Sequence, residues 1–289
     1  MPCASPRVHA HFHDETHTIS YVVWSEGAPE AVIIDSVLDY DHSSGRTSTH
    51  AADALLEVVH QHQLKVAWIL ETHAHADHLS AAPYLKRMTG APIGIGEHIQ
   101  DVQTVFKPIF AAEDVSGTGA EFDRLWKDGE TFAAGDLEIE VIHTPGHTPA
   151  CVSYKIGDAL FVGDTLFMPD YGTARCDFPG GNARTLYASI QRLLTLPDET
   201  RVFLCHDYLP EGRAEYVWQT TIKAEREHNI HVGGDATEDE FVAMREGRDQ
   251  TLSMPRLLLP SVQVNIRAGQ LPPEDDKGRV FLKLPVDAL

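Results

Sequence analysis

The stretch Thr72-His73-Ala74-His75-Ala76-Asp77-His78 contains four potential metal ligands within six positions, directly after the apolar run Val66-Ala67-Trp68-Ile69-Leu70. A short apolar run bounded by polar residues is typical of a strand that is covered on both faces. The ligands therefore follow the C-terminal end of a buried strand, where a sheet edge directs side chains towards one point and a loop leaves room for substrate. This stretch predicts a metalloenzyme.

Three further candidate ligands each follow a strand-like run: His147 after residues 137–142, Asp164 after residues 159–162, and His206 after residues 202–204. Taken alone, a histidine after a strand is more often a structural residue, and a Gly-Asp pair is more often a turn. Together with the HxHxDH stretch, these positions make a strand followed by a ligand recur four times along the chain.

The order of these residues resembles the metallo-β-lactamase superfamily, whose pattern is HxHxDH followed by a His, an Asp and a final His. The resemblance covers residues 73–206. It implies a four-layer αβ/βα sandwich, whereas periodicity alone predicts only a mixed α/β fold. We expect one domain over residues 1–289, with a core of about 1–212 and a helical and extended C-terminal tail at 213–289. The tail is expected to wrap on the core or on a second subunit.

Local patterns predict further elements. A hairpin is expected from Thr18 to Trp24 and from Ala31 to Asp35, followed by an insertion from Asp39 to Arg46. Helices are predicted over residues 48–63, 79–88, 182–194, 212–228 and 238–246. Beyond them, the prolines at positions 255, 260, 272 and 273 are expected to prevent regular structure.

Composition narrows the class of protein. A chain of 289 residues with 43% hydrophobic content can bury a substantial core, and no apolar run of about 20 residues predicts a membrane helix. The net charge of −20 argues against a nucleic-acid partner, although a locally basic pocket is compatible with it. Since the N-terminus lacks a signal-peptide pattern and Cys3, Cys151, Cys176 and Cys205 form no CxxC pair, a cytoplasmic location is expected. The proline-rich tail with its apolar patches predicts a homodimer.

The resemblance leaves two metal arrangements open. In binuclear members the matching ligands are His73, His75 and His147 for one zinc ion and Asp77, His78 and His206 for the other, with Asp164 as a bridge. Two such ions activate a water molecule for attack on a thioester or amide. In the iron-dependent branch only His73, His147 and Asp164 match the ligands of one Fe(II) per chain. Three octahedral positions then stay open for a thiolate and dioxygen, and His75, Asp77, His78 and His206 orient the ligands from outside.

The segment Arg175-Cys176-Asp177-Phe178 favours the iron branch. It resembles the Arg-Thr-Asp-Phe element of the glutathione persulfide dioxygenases, whereas hydroxyacylglutathione hydrolases (glyoxalase II) have Arg-x-Phe-Glu-Gly there. The loop between Asp164 and Arg175 is about two residues longer than in the best-known dioxygenases and lacks their Gly-Cys-Gly. A bacterial subgroup resembles this variant, including the insertion at Leu38–Asp41 and the tail around Pro260.

The resemblance therefore implies an iron-dependent dioxygenase that oxidises glutathione persulfide with O2 to sulfite and glutathione. The alternative is a binuclear-zinc hydroxyacylglutathione hydrolase. A metal or persulfide sensor without turnover is a third hypothesis, although an open ligand set costs stability unless it is used.

A glutathione substrate requires cations for its two carboxylates. Arg175 is the first candidate, because a planar guanidinium binds a carboxylate through two hydrogen bonds. Lys223, Arg226 and Asn229 are further candidates, by analogy with C-terminal basic residues of glutathione-using relatives. The competing interpretation of Lys223 and Arg226 is a solvated helix face paired with neighbouring glutamates.

Three side chains complete the list of candidates. Tyr208 and Tyr171 are candidates for hydrogen bonds to the bound thiol or peptide, and a structural tyrosine with a satisfied hydroxyl is the alternative. Cys176 is expected near the site, and we interpret it as a buried, inert thiol rather than as a persulfide trap.

Overall fold

The computed structural model describes residues 5–288, which form two β-sheets packed face to face between outer helices. The first sheet has the order β1-β2-β3-β6-β8-β9, with β1 Arg7–His13, β2 Thr18–Trp24, β3 Glu30–Ile34, β6 Lys65–Leu70, β8 Ile93–Gly96 and β9 Arg124–Trp126. The second has the order β10-β11-β12-β13-β14-β15, with β10 Thr131–Ala134, β11 Leu137–His143, β12 Val152–Ile156, β13 Ala159–Phe161, β14 Arg201–Phe203 and β15 Gln219–Thr221. A small third sheet joins β5 Arg46–Ser48, β4 Val37–Asp41 and β7 Leu79–Ser80. The helices are α1 His50–Gln61, α2 Ala82–Thr89, α3 Ile99–Ile109, α4 Ala183–Leu193, α5 Ile222–His228, α6 Glu238–Asp249 and α7 Leu258–Asn265.

Strand alternation separates the core into layers. In β2, Ile19, Tyr21 and Val23 face the second sheet, while Val22 between them faces the helices. α1, α2, α3 and α7 cover the outside of the first sheet, and α4 and α6 cover the outside of the second. The predicted four-layer αβ/βα sandwich is therefore confirmed.

Strand direction brings the predicted ligands to one edge. β3 and β6 are parallel, and β11, β13 and β14 share one direction because β12 is antiparallel to both β11 and β13, and β14 is parallel to β13. The loops that leave the C-terminal ends of these strands contain the HxHxDH motif, His147, Asp164 and His206.

The predicted helix over residues 212–228 is wrong in its first half. Residues Gln219–Thr221 form β15 and pair with β14, and the helix begins only at Ile222, after the Thr221 side chain accepts a hydrogen bond from the Ala224 amide. The prediction that prolines exclude regular structure after residue 255 is also wrong, because α7 contains Pro260. The ring is tolerated there since it lies in the first turn, where backbone amides have no helical partner.

The C-terminal tail packs on the same body. Leu258, Val262 and Ile266 of α7 join the apolar layer between the helices and the first sheet. Asn265 donates hydrogen bonds to the carbonyls of His75 and His78, both at 2.8 Å, and therefore holds the metal-binding loop. Among residues 5–288, no helix is both long enough and apolar enough to cross a membrane. The domain count and the homodimer stay predictions.

Candidate metal centre

Three of the predicted ligands converge at the edge of the sandwich. One ligand atom each from His73, His147 and Asp164 lies within 4.8 Å of the other two. Asp164 Oδ2 is 3.6 Å from His147 Nε2 and 3.9 Å from His73 Nε2. Such distances are too long for hydrogen bonds but close to the roughly 3–3.5 Å that separates two ligands of one ion with bonds of about 2.1 Å. The three side chains therefore fit one metal ion.

A second group lies beside the first. His206 Nε2 is 3.2 Å from Asp77 Oδ2 and 3.4 Å from Asp164 Oδ1. His78 packs between His75 and His206, with its ring centroid 4.2 Å from that of His75. The structure thus brings all seven predicted ligands together, with Asp164 shared between the two groups.

Hydrogen bonds on the outer nitrogen of each imidazole set its tautomer. His147 Nδ1 lies 2.7 Å from the Arg175 carbonyl and His206 Nδ1 lies 3.1 Å from the His17 carbonyl. A carbonyl only accepts, so each ring donates its Nδ1 proton and its Nε2 lone pair faces the centre. Neutral imidazole with a free lone pair is the form that binds a metal ion.

His73 is oriented by a chain of hydrogen bonds from Asp35. The Thr72 hydroxyl donates to Asp35 Oδ2 at 2.9 Å, so it accepts the Nδ1 proton of His73 at 3.0 Å. Gly163 has φ +51 and leaves no room for a side chain, since a Cβ there would lie 2.6 Å from Thr72 Oγ1. The turn before Asp164 therefore packs directly on the residue that orients His73.

His75 is held by two buried carboxylates. Its Nε2 lies 3.1 Å from Asp35 Oδ1 and 3.3 Å from Glu71 Oε2, and Glu71 also accepts from the Ser80 hydroxyl. Burial alone lowers the pKa of His75, but the charges and hydrogen bonds of Asp35 and Glu71 outweigh it and raise that pKa well above its usual value. The same environment fixes the ring with Nδ1 towards the centre.

The inner atoms of this cluster pass a test for metal binding. Within the described residues, His73 Nε2, His75 Nδ1, His78 Nε2, His206 Nε2 and Asp164 Oδ1 are buried without a hydrogen-bond partner. Buried polar atoms are almost always paired, and leaving one unpaired costs about 1–3 kcal/mol. Imidazole nitrogens with carboxylate oxygens suit iron, zinc or manganese. Metal binding at this cluster explains why these buried atoms lack a hydrogen-bond partner within the protein.

A cavity of about 330 Å³ opens onto the metal centre. Asp77, His147 and Asp164 form its floor, and Phe167, Tyr171, Phe178 and Tyr208 form an aromatic wall. Four arginines also line it: Arg175, Arg245, Arg248 and Arg256. A locally basic pocket therefore exists in a chain of net charge −20.

The four arginines that line the cavity differ in whether their guanidinium groups are already paired with a carboxylate. Arg175 donates to both carboxylate oxygens of Asp177, at 2.6 and 2.5 Å, and to the Ser253 carbonyl at 2.7 Å. Arg245 is buried and paired with Asp249 at 2.6 Å. Arg248 and Arg256 are exposed and form no ion pair with any residue from 5 to 288. Asp177 therefore occupies the bidentate face of the Arg175 guanidinium, and the part of Arg175 in substrate binding stays a prediction.

Lys223, Arg226 and Asn229 do not line the cavity. Lys223 is exposed, Arg226 pairs with Asp198 at 2.8 Å, and the buried Asn229 donates to the Gly172 carbonyl at 3.0 Å. α5 begins after a strand, and its C-terminal end packs behind the loop that contains Tyr171. Asn229 therefore supports this loop, and the substrate-binding role of these three residues stays a prediction.

Cys176 is buried and its amide donates to Asp249 Oδ2 at 2.8 Å. Burial raises the pKa of its thiol, so the group stays protonated and inert at neutral pH. Cys3 lies outside the described residues.

Sequence reasoning missed several residues of the site: Asp35, Glu71, Arg245, Arg248, Arg256 and Asn265. Asp35 had a local signal, since a carboxylate ends the apolar run of β3 just as the motif follows β6. The arginines had none, because their approach to the site depends on how the tail folds back.

Comparison with known proteins identifies the family. Residues 14–206 match the metallo-beta-lactamase superfamily. The chain belongs to this superfamily of metalloenzymes.

Individual relatives differ in the activity that their names state. A probable metallo-hydrolase of Burkholderia pseudomallei is 53% identical, over 98% of this chain and 99% of that protein. Glyoxylase B2 of Dictyostelium discoideum is 50% identical over 95% of each chain. The crystal structure of ETHE1 from Myxococcus xanthus has a TM-score of 0.73 and 31% identity, over 91% of this chain and all of that one. The mouse mitochondrial persulfide dioxygenase ETHE1 is 27% identical over 91% of this chain and 89% of that protein.

Proposed function

We propose that this chain is an iron-dependent persulfide dioxygenase that oxidises glutathione persulfide with O2 to sulfite and glutathione. The observation that carries the proposal is the contact between the Arg175–Phe178 element and the ligand His147. The Arg175 carbonyl accepts the His147 Nδ1 proton, and the Phe178 ring packs edge-on against the His147 ring at 5.2 Å. The sequence element that distinguishes dioxygenases from glyoxalases therefore shapes the metal centre itself.

The ligand set supports the choice of iron. His73, His147 and Asp164 would hold one ferrous ion, and a site of two histidines and one carboxylate with open positions is the kind that activates dioxygen in non-haem oxygenases. The Thr72 hydroxyl, itself held by Asp35, accepts from His73, and the Arg175 carbonyl accepts from His147, so both rings stay directed at that ion.

The cavity supports an anionic tripeptide as substrate. Arg248 and Arg256 present two cations at its mouth, which matches the two carboxylates of glutathione. Glu15 at the same mouth provides a carboxylate for the single ammonium group. Tyr171 and Tyr208, with ring centroids 5.1 Å apart, flank the path from this mouth towards Asp77 and Asp164.

The residues of the cavity orient the substrate for an overall reaction in which persulfide, O2 and one water molecule give sulfite, glutathione and two protons. The arginines would bind the peptide end, so that the terminal sulfur points at His147 and Asp164. The aromatic wall of Phe167, Phe178 and Tyr208 excludes bulk water from the reacting sulfur.

The test is anaerobic purification followed by metal quantitation and an oxygen-electrode assay. We expect about one iron per chain, oxygen uptake that requires glutathione persulfide, and equimolar sulfite. His147→Gln should abolish both iron binding and oxygen uptake, whereas His60→Gln, at an exposed position on α1, should change neither. Two tightly bound zinc ions without oxygen uptake would refute the proposal.

A binuclear hydrolase is the second candidate function. It is favoured by the unpaired inner atoms of His78 and His206 beside Asp77, and by the names of the relatives from Burkholderia and Dictyostelium. This function predicts two metal ions per chain and release of D-lactate from its glutathione thioester. Repeated recovery of a single iron without thioesterase activity would exclude it.

A further inference from the structure

A second, much smaller cavity lies behind the metal-binding loop. Its volume of about 20 Å³ exceeds the roughly 10–15 Å³ that one water-sized molecule needs. It is lined by Ala74, Ala76, Val102, Phe106, Thr148, Phe178, Pro179 and Val262. The cavity therefore has room for a molecule of two or three atoms and excludes a tripeptide.

The walls of this cavity are apolar. Its one side chain with a polar group is Thr148, whose hydroxyl already contacts Cys151 Sγ at 3.1 Å and accepts from the Ala150 amide at 3.2 Å. A buried water needs two to four polar partners, and cavities lined by apolar side chains stay dry and bind small apolar guests. Ionic species such as persulfide or sulfite would lose their hydration there without compensation.

The position of this cavity links it to the metal centre. Ala74 and Ala76 alternate with His73, His75 and Asp77 in the metal-binding loop. Ala76 and Phe178 line both this cavity and the substrate cavity, so they stand between the two. The far wall consists of Val102 and Phe106 of α3 and Val262 of α7.

We propose that this cavity is a binding site for molecular oxygen, separate from the arginine-lined cavity that admits the persulfide. Dioxygen is a small apolar molecule, and the cavity combines the matching size, an apolar lining and contact with the metal-binding loop. The inference rests on the proposed dioxygenase function. A co-substrate held beside the ligands reaches the centre without passing the bound tripeptide.

The first test uses xenon, an apolar probe of similar size, and does not depend on activity. Crystals of the metal-loaded protein under xenon pressure should show xenon between Val262 and Ala76. The second test fills the cavity from its far wall with Val262→Phe, and with the milder Val262→Ile in case the larger ring prevents folding. Val59→Phe and Val59→Ile are matched controls, because Val59 lies in the same apolar layer and does not line either cavity.

We expect the Val262 variants to raise the KM for O2 by about fourfold, the factor that corresponds to losing the burial of about one methylene group. The KM for persulfide and the iron content should stay unchanged, and the Val59 variants should behave as wild type. Absence of xenon from the cavity, or an unchanged KM for O2 in folded Val262 variants that still consume oxygen, would overturn this inference alone. If the wild-type chain consumes no oxygen with persulfide, the proposed function fails and the oxygen site fails with it.

Discussion

The two exposed arginines at the mouth of the substrate cavity offer the sharpest test of substrate recognition. Arg248 and Arg256 form no ion pair among residues 5–288, so replacing them with methionine leaves no carboxylate without its partner. Methionine keeps most of the apolar length of the side chain and removes the charge. The substitutions therefore isolate the charge contribution to binding.

The expected magnitude follows from the exposure of both side chains. A hydrogen bond to a charged group contributes about 1.5–3 kcal/mol when it is shielded from water, whereas an exposed ion pair contributes about 0.2–1 kcal/mol. Since both arginines are exposed, we expect about 1 kcal/mol each, which is roughly a fivefold loss in kcat/KM for glutathione persulfide per substitution. The double variant should lose roughly 10- to 30-fold, with little change in kcat.

The assay compares glutathione persulfide with the persulfide of glutathione diethyl ester, which lacks both carboxylate charges. The loss should appear with the first substrate, disappear with the second and shrink at high salt. Arg46→Met is the matched control, because Arg46 is exposed on β5 and lies outside the cavity. An equal loss with the ester, or wild-type kcat/KM in the double variant, would refute the assignment of these arginines to the carboxylates.

Three further predictions concern the scaffold of the site. Burial raises the pKa of Glu225 to about 8, so the folded state keeps a proton that the unfolded state loses near pH 4.3, and stability should fall as pH rises from about 4.5 to 8. Glu225→Gln should remove this pH dependence of the free energy of unfolding and stabilise the protein at pH 8 by up to about 4 kcal/mol. A variant whose free energy of unfolding still falls with pH as in wild type would contradict the raised pKa of Glu225. Asp35→Asn should lower metal affinity about 10- to 100-fold in a chelator competition, because the carboxylate that orients the ligand His73 through Thr72 and also holds His75 is lost, and unchanged affinity would argue against that role. Gly146→Ala should cost more than about 3 kcal/mol in thermal unfolding, since its Cβ would lie 2.3 Å from the Leu186 Cα at φ +139. Gly27→Ala is the control, because Gly27 also has a positive φ, +84, but has open space around it, and this variant should lose only about 1–2 kcal/mol of stability. Equal losses in the two variants would contradict the steric argument.

Much of the metal centre was predictable from sequence because its ligands follow strands. Each ligand loop begins where an apolar run ends, and the ends of strands that share a direction meet at one edge of a sheet. Asp35 also follows a strand, but it was not predicted as a site residue because a lone aspartate after a strand is common at turns.

The cations that line the cavity were harder to predict than the metal ligands, for a physical reason. Tyr171 and Tyr208 line the cavity because they are close in sequence to the ligands Asp164 and His206. Arg175 also lies there, but no local pattern reveals that Asp177 occupies its guanidinium. Lys223 and Arg226 were predicted by analogy with C-terminal basic residues of glutathione-using relatives, and both lie on α5, outside the cavity.

The seven candidate ligands and, through their resemblance to the family pattern, the layered fold could be predicted from residue order, because ligands and the apolar runs before them are local features of the chain. The packing of distant segments alone reveals which cations reach the site and what holds the ligand loop. Arg248, Arg256 and Asn265 lie about 100 residues or more beyond His147 in sequence and reach the centre only after α6 and α7 fold back over it. The residue type of a ligand can be read at its own position in the sequence. Contact between distant segments, in contrast, depends on how the whole core packs.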